Sequence, residues 1–324
     1  MPNAIRFHQA GGPEVLQWES VAVGEPGPGE ARVRPTAVGL NYIDTYHRSG
    51  LYKLPLPSGI GLEAAGVVEA VGAGVTDIKK GDRVAYCGGP PGSYAELRVM
   101  PADKLVKLPD DVSDRSAATL MLKGLTVQYL FRQTYLLKGG ETILFHAAAG
   151  GVGSIACQWA RALGVTMIGT VGSDEKAALA KANGCTHTIV YTRENFVDRV
   201  KELTGGKGVS VVYDSVGKST FPASLDCLKP RGMFVSFGNA SGPIAAFDIG
   251  LLAQKGALYA TRPALAWYAA ARPQLLAMAD EMFALVRAGK IVSEASQTYA
   301  LKDAAQAHRD LEGRKTTGAT LLLP

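Results

Sequence analysis

The sequence lacks the residues that metal sites and disulfide frameworks require. Only four cysteines occur, at positions 87, 157, 185 and 227, and no two of them form a Cys-x-x-Cys pair. This spacing excludes a four-cysteine zinc lobe and a redox dithiol, so buried reduced thiols are expected. The five histidines are dispersed along the chain. They predict surface or core positions rather than a metal cluster.

Runs of basic or apolar residues are also missing. The chain carries 34 Lys and Arg against 29 Asp and Glu, a formal net charge of +5, with no run of five basic residues. Nucleic acid is therefore not expected as the main partner, although a small positive excess suits a protein that attracts a polyanionic cofactor. Residues 1–7 contain no apolar signal core, and the uncharged stretch 142–160 is broken by glycines. We expect no export signal, no membrane span and a cytoplasmic protein.

The composition predicts an α/β protein of two domains with many tight turns. Of 324 residues, 47% are hydrophobic, 19% are charged and 38 residues are glycine, and a chain of this length exceeds one usual domain. Short strands dominate at first, strands and helices then alternate, and a long amphipathic helix and a final strand follow. We therefore predict a β-rich domain over residues 1–123, a doubly wound parallel sheet over 124–262, and a return of 263–324 to the first domain.

The elements can be assigned by residue. The predicted strands are 31–38, 65–71, 82–86, 142–146, 165–171, 187–191, 209–213, 233–237 and 319–323, and the predicted helices are 152–163, 174–183, 193–204 and 273–288. The terminal strand needs hydrogen-bonding partners, and the strands of the first domain are expected to provide them.

The strongest local signal is a glycine-rich turn between a predicted strand and a predicted helix. Ala148-Ala149-Gly150-Gly151-Val152-Gly153 follows the G-x-G-x-x-G pattern with Ala148 in place of the first glycine. Glycine lets the backbone approach a pyrophosphate, and the first turn of the helix offers N–H groups to that anion. A glycine-rich turn also occurs where helix and strand merely pack closely, but the alternating elements around this one favour dinucleotide binding.

A longer pattern extends over nearly the whole chain. Its segments are Gly11–Leu16, Asn41–Asp44, Lys123–Thr126, Gly140–Gly153 with Gln158 and Arg161, and Tyr213–Gly217. Together they resemble the quinone oxidoreductases, the zeta-crystallin-like, zinc-independent branch of the medium-chain dehydrogenase/reductases. The resemblance implies a Rossmann domain that binds NADPH and a β-rich, GroES-like catalytic domain.

Two positions depart from the zinc-dependent members of that superfamily. Asn41 stands where those enzymes carry a zinc-binding cysteine, and Leu62 stands where they carry a histidine. Neither side chain supplies the thiolate or imidazole that zinc binds. We expect no metal, and without a Lewis acid the oxidation of alcohols is disfavoured.

The type of cofactor can be inferred at the end of the second strand of the nucleotide-binding domain. NAD enzymes place an acidic residue there, whereas this chain has Gly172 and Ser173, with Lys176 one helical turn further on. The neutral strand end leaves room for a 2′-phosphate, and the resemblance places Tyr191 by the adenosine. The alternative is that Ser173 simply caps a helix whose Lys176 faces solvent.

The resemblance also implies a set of further site residues. The pocket or catalytic residues are Asn41, Tyr46 and Tyr52, and the other cofactor-binding residues are Thr126, Ala149, Gly150, Gly151, Val152, Gly153, Ser215, Phe237, Gly238, Asn239, Arg262 and Arg314. Asn41 and Tyr52 are expected to hydrogen-bond the developing oxyanion of the substrate. Tyr52 is further similar in its spacing to the proton-donating tyrosine of enoyl thioester reductases, although it could instead anchor a loop.

These expectations define one function and two alternatives. NADPH, held between the two domains, would reduce a quinone or a related α,β-unsaturated carbonyl, with Tyr52 or water as the proton donor. An enoyl thioester reductase is the alternative enzyme, and an RNA-binding or structural crystallin-like protein is the alternative from another class. A homodimer is expected through edge pairing of residues 257–261.

Overall fold

The computed structural model describes residues 1–324 and contains sixteen strands and nine α-helices. The strands are β1 Asn3–Phe7, β2 Gln17–Ser20, β3 Glu30–Leu40, β4 Ser58–Gly59, β5 Glu63–Val71, β6 Arg83–Cys87, β7 Arg98–Pro101, β8 Val106–Lys107, β9 Thr142–His146, β10 Thr166–Val171, β11 His187–Val190, β12 Val209–Asp214, β13 Leu228–Ser236, β14 Tyr259–Thr261, β15 Ala295–Ala300 and β16 Ala319–Leu323. The helices are α1 Tyr42–Ser49, α2 Asp114–Tyr129, α3 Gly151–Leu163, α4 Asp174–Ala182, α5 Phe196–Leu203, α6 Gly250–Gln254, α7 Leu265–Tyr268, α8 Arg272–Arg287 and α9 Ala304–Glu312.

The chain divides into two compact units. The first unit comprises Met1–Leu125, Ala269–Arg287 and Ser293–Pro324, and the second comprises Thr126–Tyr268 and Ala288–Val292. None of the helices combines the length and the apolar character needed to span a lipid bilayer.

The first unit is built on β-sheets. Its seven-stranded sheet has the order β15-β16-β3-β5-β6-β8, with β7 also pairing with β3, and a three-stranded sheet has the order β2-β1-β4. Strand β16 pairs antiparallel with β3, so the terminal strand finds the partner that the sequence predicts. The hydrophobic core of the first unit includes Ile5, Val33, Val68 and Leu322, each at most 2% exposed.

The second unit is a six-stranded parallel sheet with the order β11-β10-β9-β12-β13-β14. The direction in which the chain adds strands reverses at β9. The chain continues from β9 through β10 to β11 on one side, and β12, β13 and β14 follow on the other side. In such doubly wound sheets, ligands bind beyond the carboxyl ends of the strands at this reversal. The predicted α/β fold with a doubly wound parallel sheet is confirmed.

Three helices in the first unit or at its boundary were not recognised in the sequence. Helices α1 and α2 interrupt the segment that reads as short strands, and α9 precedes the terminal strand. Helix α1 has only eight residues and is capped by Asn41, whose backbone N–H donates to the Asp44 carboxylate at 2.9 Å. Its local capping, rather than a long apolar stripe, specifies it.

Candidate cofactor and active site

The glycine-rich turn lies where β9 passes into α3. Gly150 is the N-cap of α3, and no side chain caps this terminus. A Cβ on Gly153 would collide with the backbone of Ala147 and Ala148, so only glycine lets the helix approach the strand so closely. Ala147 itself adopts the left-handed conformation, with φ of 59°. The turn therefore presents the backbone N–H groups of the first helical turn at the carboxyl end of the central strand, a geometry suited to a pyrophosphate.

The ends of β10 and β11 form a second corner of the same sheet edge. Tyr191 follows β11, and a Cβ on Gly172 would lie 3.0 Å from the Tyr191 hydroxyl, so the space beside the tyrosine depends on glycine. Ser173 is the N-cap of α4, and its hydroxyl accepts the backbone N–H of Lys176 at 3.3 Å. The helix-cap alternative for Ser173 is thus realised. The roles of Ser173 and Lys176 at a bound phosphate stay predictions.

A third group gathers at the carboxyl ends of β12 and β13. Arg262 donates to the Ser236 hydroxyl at 2.9 Å and to the Gly238 carbonyl at 2.8 Å. A Cβ on Gly238 would collide with the backbone of Ser215, and the Phe237 ring packs on Phe145 at 5.6 Å between centroids. The structure therefore brings together most of the predicted cofactor residues of this unit, including the neighbouring Asn239. Thr126 lies in α2 and is buried.

In the first unit, Asn41 belongs to a buried polar cluster that also holds Glu63 and Lys123. The Asn41 amide nitrogen donates to Glu63 Oε2 at 2.8 Å and to the Gly39 carbonyl at 3.2 Å. Lys123 Nζ donates to the same Glu63 oxygen at 2.8 Å, and the Leu122 backbone N–H donates to Glu63 Oε1 at 2.6 Å. Glu63 is fully buried and Lys123 is only 4% exposed.

This cluster changes the role that Asn41 can play. Both of its partners are acceptors only, so the amide nitrogen must face them and both of its N–H groups are in use. In this arrangement both N–H groups of Asn41 are already used, so a bond to a substrate oxyanion would require one of them to leave Glu63 or Gly39, and that role stays a prediction. The remaining polar atom of its side chain, the carbonyl oxygen, can only accept a hydrogen bond.

The same cluster bears on metal binding. No group of three or more His, Cys, Asp and Glu side chains is positioned to hold a metal ion in this chain. The places of two zinc ligands are taken by Asn41, whose amide is held by Glu63, and by Leu62, which has no donor atom. The residues present do not fit a catalytic zinc. That the protein functions without a metal stays a prediction.

Tyr46 and Tyr52 lie together at the end of α1. Their rings meet edge to face at 5.2 Å, and the Tyr52 backbone N–H donates to the Tyr46 carbonyl at 3.0 Å. Arg314, by contrast, follows α9 in the left-handed conformation with φ of 58°. Its charge acts on Tyr42, whose pKa is raised mainly by burial.

A directed chain of hydrogen bonds anchors α1 to α9. The Arg48 guanidinium can only donate, so His308 Nδ1, 2.9 Å away, must accept and Nε2 must carry the proton. His308 Nε2 then donates to the Tyr94 oxygen at 3.2 Å, and the Tyr94 hydroxyl donates to Asp44 Oδ2 at 2.8 Å. Burial raises the pKa of Asp44 to about 7 and lowers the pKa of His308 to about 3. This chain holds Asp44, and through it the N-cap at Asn41.

Glu63, Lys123 and Asp44 were not predicted from the sequence as members of this site. Their signal was present, because Glu63 precedes the small residues Ala64 and Ala65, and Lys123 interrupts an apolar run. A charge inside such a run predicts a buried ion pair or hydrogen-bonded group. The partners, however, lie 60 residues apart and could not be matched.

Comparison with known proteins supports one family. Residues 27–110 match the alcohol dehydrogenase GroES-like domain, and residues 151–261 match the family described as zinc-binding dehydrogenase. The chain is 60% identical to a quinone oxidoreductase of Pseudomonas aeruginosa, over all of both chains. It is 49% identical to a 2-haloacrylate reductase of a Burkholderia species, over 100% of this chain and 99% of that one.

A solved structure agrees with these matches. The crystal structure of Escherichia coli quinone oxidoreductase complexed with NADPH superposes with a TM-score of 0.98 and 51% identity, covering 99% of this chain and 100% of that one. The resemblance drawn from the sequence is confirmed. The chain belongs to the quinone oxidoreductase family of the medium-chain dehydrogenase/reductases.

Proposed function

We propose that the protein is an NADPH-dependent reductase that transfers reducing equivalents to quinones. The observation that carries the proposal is the set of predicted cofactor residues at one edge of the parallel sheet: the α3 N-terminus, the Gly172–Lys176 corner, and the Ser215, Gly238 and Arg262 group. An oxidoreductase that binds NADPH is what the family implies, and NADPH supplies a hydride when bound. The second unit would hold the cofactor, and the first would hold the acceptor.

The residues of the first unit support a pocket for a planar carbonyl compound. We propose that Tyr46 and Tyr52 line it, and that Tyr52 or a water molecule returns the proton to the reduced acceptor. Because the Asn41 amide is committed to Glu63 and Gly39, Asn41 would accept a hydrogen bond from a hydroxyl or amide group instead.

The experiment is a steady-state panel of acceptors with NADPH and with NADH. Quinones, enones, 2-haloacrylates and enoyl thioesters are compared by kcat/KM, and the proposal expects quinones to rank first with NADPH. A second candidate is the reduction of activated alkenes, favoured by the 49% identity to a 2-haloacrylate reductase. Higher kcat/KM for 2-haloacrylates than for every quinone would replace the first proposal by the second.

We also propose a homodimer and a cytoplasmic location. Strand β14 is at an edge of the sheet, and its Tyr259 is 58% exposed, so unpaired backbone groups and an aromatic ring face outward together. Two copies could pair there around a twofold axis. Light scattering at micromolar protein concentration should give the mass of a dimer, and Ala260→Pro should give a monomer; a monomeric wild type would refute the dimer.

A further inference from the structure

An exposed ion pair, which the sequence analysis did not find, closes the corner between β10 and β11. Arg193 donates to both carboxylate oxygens of Asp174, at 2.7 and 2.6 Å. Asp174 follows the N-cap Ser173 directly, and Arg193 comes two residues after Tyr191. The pair therefore joins the two loops at which the 2′-phosphate of NADPH is proposed to bind.

The backbone holds the two partners in register. The Tyr191 N–H donates to the Val171 carbonyl at 3.1 Å, and the Thr192 hydroxyl donates to the Gly172 carbonyl at 3.3 Å. These bonds fix the loop after β11 against the end of β10, so Arg193 reaches Asp174 from a defined position. Two parallel N–H···O bonds also fix the orientation of the carboxylate, which a single contact would not.

The pair matters because of the charge of Asp174. A carboxylate near the end of the second strand is the group with which NAD enzymes bind the ribose hydroxyls, and it repels a 2′-phosphate. The corner carries Asp174 and Glu175 against Lys176 and Arg193, while Glu194, which also acts on Arg193, has its own ion pair with Arg199. Without Arg193 the acidic groups would outnumber the single ammonium, and the site would no longer favour an anion.

We propose that Arg193 is a cofactor-specificity residue, which acts by holding and neutralising Asp174 so that this corner accepts NADPH. The contribution of the pair to folding stability is small, since its side chains are 58% and 70% exposed and such pairs stabilise little. The pair instead makes the electrostatic potential that the 2′-phosphate meets less negative. The inference rests on the proposed position of the 2′-phosphate beside Lys176.

The test measures binding of NADPH and NADH by fluorescence titration, without any acceptor, in the full-length protein. Arg193→Ala should raise the Kd for NADPH by about tenfold, the scale of an uncompensated like charge at an exposed site. The Kd for NADH should stay the same or fall, because the released carboxylate can bind ribose hydroxyls. Adding Asp174→Asn to Arg193→Ala should return NADPH binding to within about threefold of wild type.

Arg287→Ala with its cofactor affinities measured in the same way is the matched control, because Arg287 forms a similarly exposed ion pair with Asp111, with side chains 54% and 60% exposed, and belongs to the first unit rather than to the proposed site. It should change neither Kd by more than about twofold. The inference is overturned if Arg193→Ala weakens both cofactors equally, if it weakens neither, or if the double variant binds NADPH as poorly as Arg193→Ala, which would mean that Arg193 touches the phosphate itself.

A further variant, Lys176→Ala, distinguishes a wrong role for Arg193 from a wrong position of the 2′-phosphate. If Lys176→Ala weakens NADPH binding and Arg193→Ala does not, the role of Arg193 is wrong and the phosphate position stands. If neither variant affects NADPH binding, the phosphate position and the role of Arg193 are both wrong. Neither result depends on which acceptor the enzyme reduces.

Discussion

The ion pair between Glu63 and Lys123 allows a quantitative test of the active-site architecture. Lys123 Nζ lies 2.8 Å from Glu63 Oε2, and the two side chains are 5% and 0% exposed. Replacing Lys123 by Met leaves a buried carboxylate with two remaining donors, from Asn41 and Leu122. Breaking a buried pair in this way typically costs about 3–5 kcal/mol, and the two remaining donors place the expected loss near the lower value.

Removing both charges should cost much less than removing one. Glu63→Gln alone leaves the Lys123 ammonium buried without a countercharge, whereas Glu63→Gln with Lys123→Met leaves an amide beside an apolar chain of similar volume. Replacing a buried ion pair by neutral groups is often close to neutral in stability. We therefore expect the double variant to recover at least about 2 kcal/mol relative to the sum of the single variants.

Urea denaturation of the four proteins gives the free energies of unfolding for this cycle. Lys107→Met is the matched control, because Lys107 pairs with Asp82 at 3.1 Å with its side chain 54% exposed, and it should cost less than about 1 kcal/mol. The reasoning is refuted if Lys123→Met costs no more than this control, or if the losses of the two single variants simply add. Either result would mean that the pair is not buried and coupled as the structure shows.

Three further predictions concern the cofactor, metal and pH. Lys176→Ala should lower kcat/KM for NADPH by roughly ten- to a hundredfold and leave NADH nearly unchanged; equal effects on both would place Lys176 in solvent. Activity should survive chelation, and elemental analysis should find no stoichiometric zinc, because Asn41 and Leu62 replace metal ligands. Since the pKa of His308 is lowered from 6.5 to about 3, the unfolded state takes up the proton first, and stability falls as pH drops through that window. In His308→Gln the free energy of unfolding should depend less steeply on pH, by up to about 1.4 kcal/mol per pH unit. Urea titrations at several pH values measure this dependence, and a variant that depends on pH as steeply as the wild type would contradict the prediction.

The nucleotide-binding half of the fold could be predicted because its signals are local. Strand β9 was predicted with both of its ends correct, since an apolar run ends at a glycine-rich turn, and α3 was placed to within one residue of its start. Helix α5 begins at Phe196 rather than at the predicted residue 193, because Asn195 caps it and accepts the Val197 N–H at 2.9 Å. Asn195 is the third residue of the predicted helix and stands among other polar residues, so its neighbours are equally plausible caps from the sequence alone.

The buried cluster around Asn41 could not be predicted, for a different reason. The family resemblance predicts that Asn41 replaces a metal ligand, but the role of an amide there depends on whether its nitrogen or its oxygen already has a partner. Glu63 and the Gly39 carbonyl occupy the nitrogen of the Asn41 amide. Glu63 reaches Asn41 only because β5 pairs with β3 in a register that sets Glu63 opposite Gly39. A Cβ on Gly39 would overlap the Glu63 carboxylate. The chemistry of the site is thus set by strand register, which no single segment of the sequence contains.

Ser173 has a structural role that bears on the proposed phosphate site. As N-cap, Ser173 accepts the Lys176 N–H, and it also hydrogen-bonds the Glu175 side chain, whose pKa is lowered chiefly by that contact. The cap places Lys176 at the third position of the helix, near the positive end of its dipole and one turn from the strand end. The capping residue therefore positions the cation without itself needing to contact a phosphate. A helix start at Ser173 and the proposed anion site at Lys176 are therefore compatible.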